Sequence, residues 1–464
     1  MSARAHAVHN TAYIGLIIGA IVLGLVGLLI VPDPLFLVGI ASVPIGIVLA
    51  YWLKDYPFEL CLLFIVFSFF RLHEAFPVLI PFRIPQLLAI TTLLSLAWHY
   101  FGTRRIQAYW SSELLIFIPF FIMCTVGVIF ATDRAQAWTY WSGTYVKIAI
   151  MTFATAWLTR EQHHFKRVNL AIVFAGLAIA YVTLYNKYNM IGLVEGTRVT
   201  ISRDIGSTLG DPNDLSLILL FPLSFACALL VSKGIGRWQR ILGLIATPML
   251  VTAIIATQSR GGLLGLVAVF AVVGRYKIKS NITIIVLGFV GALALFAFAG
   301  ISGRSSGGAG EEGIDASADG RLYAWGAAFK MALRYPIFGV GIHNFVLNYF
   351  DFSALHDGFN HEVHSTWFGV LAEAGFISFF LFITMVGLSI RTSIFTSRIL
   401  ELRGASIAIQ AFSLASVAGL IGTCVSGSFL TQGFAWPFYI HIALVVALAH
   451  YAQTLDDPLK GLNK

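Results

Sequence analysis

The amino-acid sequence predicts an all-α protein, a polytopic transmembrane helical bundle of about 12–14 spans. Of its 464 residues, 58% are hydrophobic and only 11% are charged, whereas about a quarter of the residues in a soluble domain are charged. The mean hydropathy is +0.84, and apolar runs recur along the whole chain. Because no long polar segment separates these runs, we expect one integral membrane domain over residues 1–464.

The candidate spans follow from the length of the apolar runs. A helix needs roughly 20 mostly apolar residues to cross the hydrocarbon core of a bilayer. In chain order the runs are 12–31, 34–53, 57–70, 86–101, 113–131, 144–158, 168–186, 214–232, 241–257, 262–274, 281–300, 365–390, 405–425 and 435–452. Several are short, which fits tilted, re-entrant or merged helices. No small-residue cleavage site follows the first run, so we expect it to be retained.

Positive charge sets the predicted orientation. Lysines and arginines of alternate loops fall on one side of a fourteen-span arrangement, together with both termini, and that side is cytoplasmic by the positive-inside rule. The residues concerned are Arg104, Arg105, Arg160, Lys166, Arg167, Lys233, Arg237, Arg240, Arg275, Lys277, Lys279, Arg391, Arg398, Arg403, Lys460 and Lys464. Arginines on the opposite face run against this bias, so they are candidates for function.

The longest outer loop, residues 301–364, has two parts. Residues 301–319 are rich in Gly and Ser, which predicts a mobile segment. Residues 320–334 predict an amphipathic helix lying across the membrane surface, where it can cap a cavity that opens outward. Its predicted apolar face consists of Leu322, Trp325, Phe329 and Leu333.

Two arginines of the outer face have the chemistry to bind phosphate. Arg260 stands in TQSRGG between two apolar runs, and Arg321 opens the amphipathic helix. The planar guanidinium group stays charged and donates hydrogen bonds in a fork that matches phosphate oxygens. Each alone also fits a simpler role: Arg260 as an interface side chain that snorkels to water, and Arg321 as part of a solvated face.

A histidine at the start of a span is the candidate base. His364 precedes the run 365–390, and an imidazole near neutral pKa can accept a proton from an attacking hydroxyl. The surrounding HEVH does not have the HExxH spacing of zinc sites, so no metal site is predicted. Asp211 or Asn213 of DPND is predicted to cap the following helix, with Pro212 in its first turn. Glu373 lies within a span and is left outside the catalytic set.

Other classes of site find little support in the sequence. The four cysteines lie in apolar runs and form no CxxC pair, so neither a disulfide framework nor a thiolate metal site is predicted. No basic stripe with interleaved aromatic residues occurs in a polar segment, so nucleic acid is not an expected partner.

Four segments, in this order, resemble the O-antigen ligase and polymerase superfamily of bacterial envelope assembly: GSTLGDPNDLSLILL, TQSRGGLLGL, GRLYAWGAAFKMALRYPIFGVGIHNF and HSTWFGVLAEAGFISFFLF. Together they span about 200–385. The last looks like the ligase signature of His, then Asn or Ser, nine residues and Gly, which falls here on His364, Ser365 and Gly375. Ser378 departs mildly from the Gly, Thr or Tyr that is usual three residues further on.

The resemblance implies a membrane glycosyltransferase with a GT-C-like helical fold, in the bacterial inner membrane, with its active site facing the periplasm. The donor is then a glycan on undecaprenyl diphosphate and the acceptor a sugar of the lipid A core, without metal or cofactor. The matched positions imply catalytic roles for His364, Arg260 and Arg321. Four residues in the same outer segments are weaker candidates for binding diphosphate or sugar: Arg203, Arg198, His361 and His343.

Three alternatives remain open at this stage. A Wzy-type polymerase of repeat units uses the same donor chemistry, so residues around the leaving group do not separate it from a ligase. A protein O-oligosaccharyltransferase differs in its acceptor. A lipid or polysaccharide transporter belongs to another class, but such proteins usually show internal repeats and polar groups at mid-membrane. Here the informative charges lie at one rim instead.

Overall fold

The computed structural model describes residues 56–104, 106, 108–278, 280–298, 318–354 and 360–455. The predicted spans 12–31 and 34–53, residues 301–317 of the long loop and both termini lie outside the described residues. Within the described ranges the chain folds into sixteen α-helices and one two-stranded antiparallel sheet. This helical architecture confirms the predicted fold class.

The first half of the bundle contains seven helices and the sheet. Their bounds are α1 Pro57–Phe69, α2 Leu72–Ala75, α3 Ile84–Ala97, α4 Ser112–Phe130, α5 Arg134–Tyr140, α6 Val146–Leu158, α7 Gln162–Tyr188, β1 Leu193–Val194 and β2 Arg198–Val199. A 3-10 helix, Pro77–Phe82, precedes α3, and a π-helical turn, Trp141–Tyr145, joins α5 to α6.

The second half contains nine helices. Their bounds are α8 Pro212–Val231, α9 Arg237–Ala256, α10 Arg260–Arg275, α11 Asn281–Phe298, α12 Ala318–Arg334, α13 Phe345–Phe352, α14 Thr366–Leu402, α15 Ile407–Gly427 and α16 Trp436–Thr454. Two short 3-10 turns, Arg203–Ile205 and Thr208–Gly210, lead from the sheet into α8.

Seven helices of the described ranges are long and apolar enough to cross a membrane. They are Ile84–Gly102, Ser112–Phe130, Gln162–Tyr188, Pro212–Val231, Arg237–Ala256, Thr366–Leu402 and Ile407–Gly427. Two further apolar helices, Pro57–Phe69 and Asn281–Gly291, are shorter. All nine coincide with predicted apolar runs, so the hydropathy pattern located the membrane helices well.

The bundle has two ends that differ in their loops. At one end, the side chain of Gln162 donates to Ser406 (3.0 Å), and Arg403 donates to the carbonyl of Ala452 (2.6 Å). These contacts join loops that carry the lysines and arginines predicted to be cytoplasmic. We call this the basic end. The opposite end, where α10 and α14 begin, is called the site end.

Helices α8 and α15 form the centre of the bundle. In their most apolar stretches 83% and 72% of the residues are buried, compared with 28% for α9. Small residues let neighbouring backbones approach: a methyl group at Gly265 of α10 would lie 3.1 Å from the carbonyl oxygen of Gly422 in α15. Close approach at small residues is a principal source of packing between membrane helices. Helix α10 is therefore fixed against the centre, and its first residue is Arg260.

Helix α14 is broken near its start, which the sequence did not predict. Gly375 has φ 78° and ψ 178°, a left-handed conformation that favours glycine. The break frees backbone groups for residues 336–341: the amide of Phe376 donates to Pro336 (2.9 Å), and that of Val340 donates to the carbonyl of Ala372 (2.9 Å). The turn segment after α12 is thus locked into the broken helix.

The amphipathic helix is confirmed as α12, and three of the four residues of its predicted apolar face are exposed. Leu322, Phe329 and Leu333 are 61%, 46% and 59% exposed. The buried face is made of small residues and one methionine: Ala324, Ala327, Ala328, Met331 and Ala332. Because both faces are apolar, periodicity could not distinguish the face that packs on protein from the face that points outward.

Candidate active site

Arg260 is the first residue of α10 and lies at the site end of the bundle. The hydroxyl of Ser259 caps the helix by accepting from the amide of Gly262 at 3.1 Å. The preceding Gln258 has φ 51°, in the left-handed region that non-glycine residues adopt rarely. The Nε of Arg260 is buried and makes no hydrogen bond within the described part of the chain. A buried guanidinium donor without a protein acceptor suits an anionic ligand.

Arg198 supports the turn from which Arg260 emerges. This side chain is 4% exposed; its Nε donates to the carbonyl of Thr257 (3.3 Å), and its Nη2 donates to the side chain of Asn213 (2.8 Å). Beside it, the hydroxyl of Thr197 donates to Gln258 at 2.8 Å. Arg198 therefore connects the β-hairpin to the end of α9 and the start of α8.

Arg321 stands in the first turn of α12, close to the start of α10. Its guanidinium carbon lies 5.8 Å from the centre of the Phe429 ring, within the range of a cation–π contact. On another side of the same phenylalanine, a methyl group at Gly261 would lie 3.2 Å from its Cβ. Phe429 therefore contacts both Arg321 and the residue next to Arg260, which brings the two arginines to one patch.

His364 is held immediately before α14 in a left-handed backbone conformation, with φ 45°. The carbonyl of the preceding Val363 accepts a hydrogen bond from the indole of Trp325 at 3.1 Å, and that indole also stacks on Phe368. Two residues after His364, the hydroxyl of Thr366 donates to the carbonyl of Leu430 at 2.8 Å. A rare backbone conformation fixed from both sides is typical of functional positions.

Residues 428–432, here called the junction segment, connect these parts of the site. Its Phe429 contacts Arg321 and Gly261, as described above, and its Leu430 accepts from Thr366. The side chain of Gln432 donates to Asp214 at 2.7 Å. The junction segment thus brings the surroundings of Arg260, Arg321 and His364 together.

Asp211, one of the two residues predicted for this role, caps α8. One of its carboxylate oxygens accepts from the amides of Asn213 (2.7 Å) and Asp214 (3.1 Å), and Pro212 is the first residue of the helix. Asp214 in the first turn binds the junction segment through Gln432. The DPND motif therefore has a structural role that also positions the site.

The other predicted binding residues differ in how deeply their side chains are buried. Arg203 is exposed, and its Nη1 contacts the carbonyl of Gly210 at 3.5 Å. His343 is exposed and stacks on Tyr140, with ring centres 4.4 Å apart. His361 is 3% exposed, with its ring edge-on to Tyr349. Of these residues, Arg203 and His343 are accessible to a large ligand.

Glu373 has a local structural function. Its carboxylate accepts from the amide of Phe345 at 3.0 Å, at the first residue of α13. An acidic group at a helix N-terminus stabilises the helix through its free amides and its dipole. Together with the break at Gly375, this bond fixes residues 336–345 against α14.

An ion pair lies beside the Arg203 turn. Arg71 donates to Glu74 from Nε and from Nη2, each at 2.7 Å, and the hydroxyl of Ser207 also donates to this carboxylate. Burial raises the pKa of Glu74, but the hydrogen bond and charge of Arg71, together with Ser207, outweigh it and bring the pKa below its ordinary value of 4.5. Glu74 is therefore ionised at neutral pH.

Residues 245–383 match the model of the family described as O-antigen ligase. This match supports assignment of the region to the O-antigen ligase and polymerase superfamily. The matched region contains Arg260, Arg321 and His364, whereas Arg198, Arg203 and the junction segment lie outside it. No curated protein matches the chain. The match confirms the resemblance to this superfamily over three of the four sequence segments, since GSTLGDPNDLSLILL precedes residue 245.

The sequence did not single out three residues that organise this site. Trp325 was assigned only to an apolar face. Phe429 and Gln432 lie between the predicted spans 405–425 and 435–452. A signal was available for Phe429, because the segment SGSFLTQGF follows a predicted span and faces the same side as TQSRGG. For Gln432 we find no local signal, since its partner Asp214 is distant in sequence.

Proposed function

We propose that this protein is an O-antigen ligase of the bacterial inner membrane. It takes a glycan from undecaprenyl diphosphate and attaches it to a sugar hydroxyl of the lipid A core at the periplasmic face. The observation that carries the proposal is the connection of Arg260, Arg321 and His364 through the junction segment, within a chain of this superfamily. Under this proposal the site end faces the periplasm and the basic end the cytoplasm.

The two arginines bind the diphosphate leaving group. Arg260 has a buried Nε available to a ligand, and Arg321 is oriented by the ring of Phe429. Guanidinium groups fixed in this way stabilise the negative charge that develops on the departing phosphate, without reorganisation during the reaction. The undecaprenyl chain remains in the hydrocarbon layer while its diphosphate is bound at the site end.

His364 acts as the general base. The acceptor oxygen attacks the anomeric carbon, its proton passes to the imidazole, and the bond between that carbon and the diphosphate oxygen breaks. Undecaprenyl diphosphate leaves with the electron pair of that bond, and the anomeric configuration inverts. No protein-bound sugar and no metal take part. A base in this position typically contributes a factor of about 10²–10⁴.

The surrounding residues have supporting roles. Arg203 and His343 are exposed at the same end and bind the diphosphate or sugars of the glycan. Arg198 acts mainly by holding the turn before Arg260, since its Nε and Nη2 are bonded to Thr257 and Asn213. His361, packed against Tyr349, orients the segment that leads to His364.

Substitution of the three central residues tests the chemistry. Arg260→Ala, Arg321→Ala and His364→Ala each abolish glycan transfer in a reconstituted assay, while the proteins accumulate normally in the membrane. Arg391→Ala, at the opposite end of α14, serves as the control and keeps full activity. Transfer at the wild-type rate by His364→Ala protein would refute its role as the base.

The lipopolysaccharide of a deletion strain distinguishes ligase from polymerase. Loss of a ligase leaves bare core and glycans stranded on undecaprenyl diphosphate. Loss of a polymerase leaves core carrying one repeat unit, which would overturn the ligase proposal while preserving the donor chemistry. Glycan missing from a protein, with normal lipopolysaccharide, would indicate a protein O-oligosaccharyltransferase. Substrate flux without transfer in liposomes would indicate a transporter.

A further inference from the structure

A cavity of 340 Å³ lies at the site end of the bundle. It is formed by the end of α1, the 3-10 helix before α3, the π-helical turn before α6, and the start of α16. The described residues that line it are Phe64, Ser68, Arg71, His73, Ile80, Arg83, Pro85, Gln86, Gly143, Thr144, Lys147 and Trp436. A volume of this size accommodates part of a small ligand.

The cavity is positively charged. Arg71 is compensated by Glu74, but Arg83 and Lys147 face the same space and are both exposed. No Asp or Glu is among the described residues that line it. Burial lowers the pKa of His73. The charge of Glu74 raises this pKa and the charge of Arg71 lowers it, and the net effect is a pKa below the ordinary value. The net charge thus comes from one guanidinium and one ammonium group, which favours an anion such as a phosphate.

The side of the cavity next to Arg83 is apolar and exposed. Val78 and Phe82 of the 3-10 helix are 75% and 62% exposed. Along α3, three exposed residues three or four positions apart continue this surface in a single stripe: Leu87, Ile90 and Leu94. A cationic pocket next to a hydrocarbon-facing stripe matches a ligand with a phosphorylated headgroup and acyl chains.

Two walls of the cavity are shared with the candidate active site. On one side, Glu74, the partner of Arg71, accepts a hydrogen bond from Ser207, and its backbone carbonyl accepts from Ser202 (2.6 Å), so Arg71 is joined to the Arg203 turn. On the other side, Trp436 lies four residues after Gln432 of the junction segment. The cavity is therefore connected to the candidate active site through the Arg203 turn and through the chain that follows the junction segment.

We infer that this cavity binds a phosphate on the headgroup of the acceptor glycolipid. Arg83 and Lys147 hold the acceptor, while Arg260 and Arg321 hold the diphosphate of the donor, so that two lipids occupy separate sites. This inference rests on the proposed function and assigns the two substrates to two sets of cations. The position of Arg83 next to the exposed stripe of α3 lets the acyl chains of the acceptor stay in the membrane.

Transfer kinetics with two acceptors test this assignment. The purified protein in lipid nanodiscs receives undecaprenyl-diphosphate glycan and a lipid A core that is either phosphorylated or treated with phosphatase. In the double variant Arg83→Ala, Lys147→Ala we expect the KM for the phosphorylated acceptor to rise about tenfold or more, as expected for loss of charge-assisted hydrogen bonds. The KM for the donor stays within about twofold, and the dephosphorylated acceptor shows no difference between variant and wild type.

The control is the double variant Lys233→Ala, Arg237→Ala, which removes two exposed cations at the basic end. If the KM for the phosphorylated acceptor is unchanged in the cavity variant, the inference is overturned. An equal rise in KM for both acceptors also overturns it, because it would indicate a structural disturbance. Native mass spectrometry of bound phosphorylated lipid A gives a second readout that does not require turnover. If the cavity variant loses bound phospholipid but retains phosphorylated lipid A, the inference is also overturned. If wild-type protein transfers to neither acceptor, the proposed function itself has failed.

Discussion

The indole Nε1 of Trp325 donates a 3.1 Å hydrogen bond to the carbonyl oxygen of Val363, the residue before His364. Trp325 lies one turn after Arg321 on the same helix, α12. One short helix therefore positions both an arginine proposed to bind the diphosphate and the backbone that carries the proposed base. Any tilt of α12 changes the two positions together.

The first prediction concerns this hydrogen bond. Trp325→Phe keeps an aromatic ring against Phe368 but removes the N–H donor. We expect kcat to fall about tenfold, because a buried carbonyl loses its partner and His364 loses its fixed geometry. The KM for the donor should change less than about twofold, because the arginines are retained.

Steady-state kinetics of purified protein measure this effect. Trp238→Phe is the matched control, since Trp238 is 82% exposed at the basic end, and it should retain wild-type kinetics. An unchanged kcat in Trp325→Phe would show that the indole hydrogen bond does not set the position of His364.

The second prediction concerns the ring that joins the two arginines. Phe429→Leu preserves the apolar contact with Gly261 but removes the π face under Arg321, a contact that contributes about 0.5–1 kcal/mol. We expect donor affinity to fall about threefold to fivefold, while Phe429→Tyr remains close to wild type. Titration with an undecaprenyl diphosphate analogue measures the change. Phe380→Leu, at a 62% exposed position on α14, is the control. Equal affinities for the Leu and Tyr variants would contradict the role of the ring.

The sequence predicted the membrane helices, because these depend on local patterns, whereas the catalytic roles of Arg260, Arg321 and His364 stay predictions. Apolar length marks a span, and an arginine against the charge bias marks a functional candidate. It missed the break in α14, since AEAGFIS is compatible with a continuous helix. That break exists because residues 336–341, more than thirty positions away, donate and accept hydrogen bonds there. The junction segment was missed for the same reason, because its partners are distant in sequence.

The outward face of α12 shows a second limit of sequence patterns. Leu322 and Phe329 of the predicted apolar face are exposed, whereas alanines at neighbouring positions are buried. In a membrane protein large apolar residues can face lipid, while small residues allow close helix packing. Hydrophobic periodicity therefore identifies the helix correctly and leaves its rotation undetermined.

The third prediction distinguishes a residue that holds the structure of the site, Arg198, from a residue that binds the donor, Arg203. Arg198→Ala removes a buried guanidinium group from Thr257 and Asn213, so we expect loss of about 2–4 kcal/mol in unfolding free energy and a clearly lower Tm. Arg203→Ala, at an exposed position, should leave Tm unchanged and instead raise the KM for the donor several-fold. Thermal unfolding in detergent and transfer kinetics measure the two properties. An unchanged Tm in Arg198→Ala would indicate that this residue binds substrate directly.

The fourth prediction concerns the glycine at the break in α14. A Cβ at Gly375 would lie 2.6 Å from the carbonyl carbon of Ile337, and its φ of 78° is unfavourable for alanine. Gly375→Ala should therefore lower Tm and the yield of folded protein, with about 1–3 kcal/mol from the backbone conformation alone. Gly387→Ala is the control in the same helix: its Cβ would meet no atom within 4 Å, and alanine favours a helix by about 0.5–1 kcal/mol. Equal Tm values for both variants would contradict the proposed geometry.

The fifth prediction concerns acid sensitivity through the Arg71–Glu74 pair. The pKa of Glu74 lies below its ordinary value of 4.5 in the folded protein, so ionised Glu74 stabilises the fold above that pH. This contribution is lost as the pH falls through the lowered pKa. We therefore expect Glu74→Gln to reduce Tm at pH 7, and the difference from wild type to shrink only below about pH 4.5. Thermal unfolding from pH 3 to pH 7 measures both curves, with Glu401→Gln at the basic end as control. A difference that stays constant across this range would show that the charge of Glu74 does not stabilise the turn that carries Arg203.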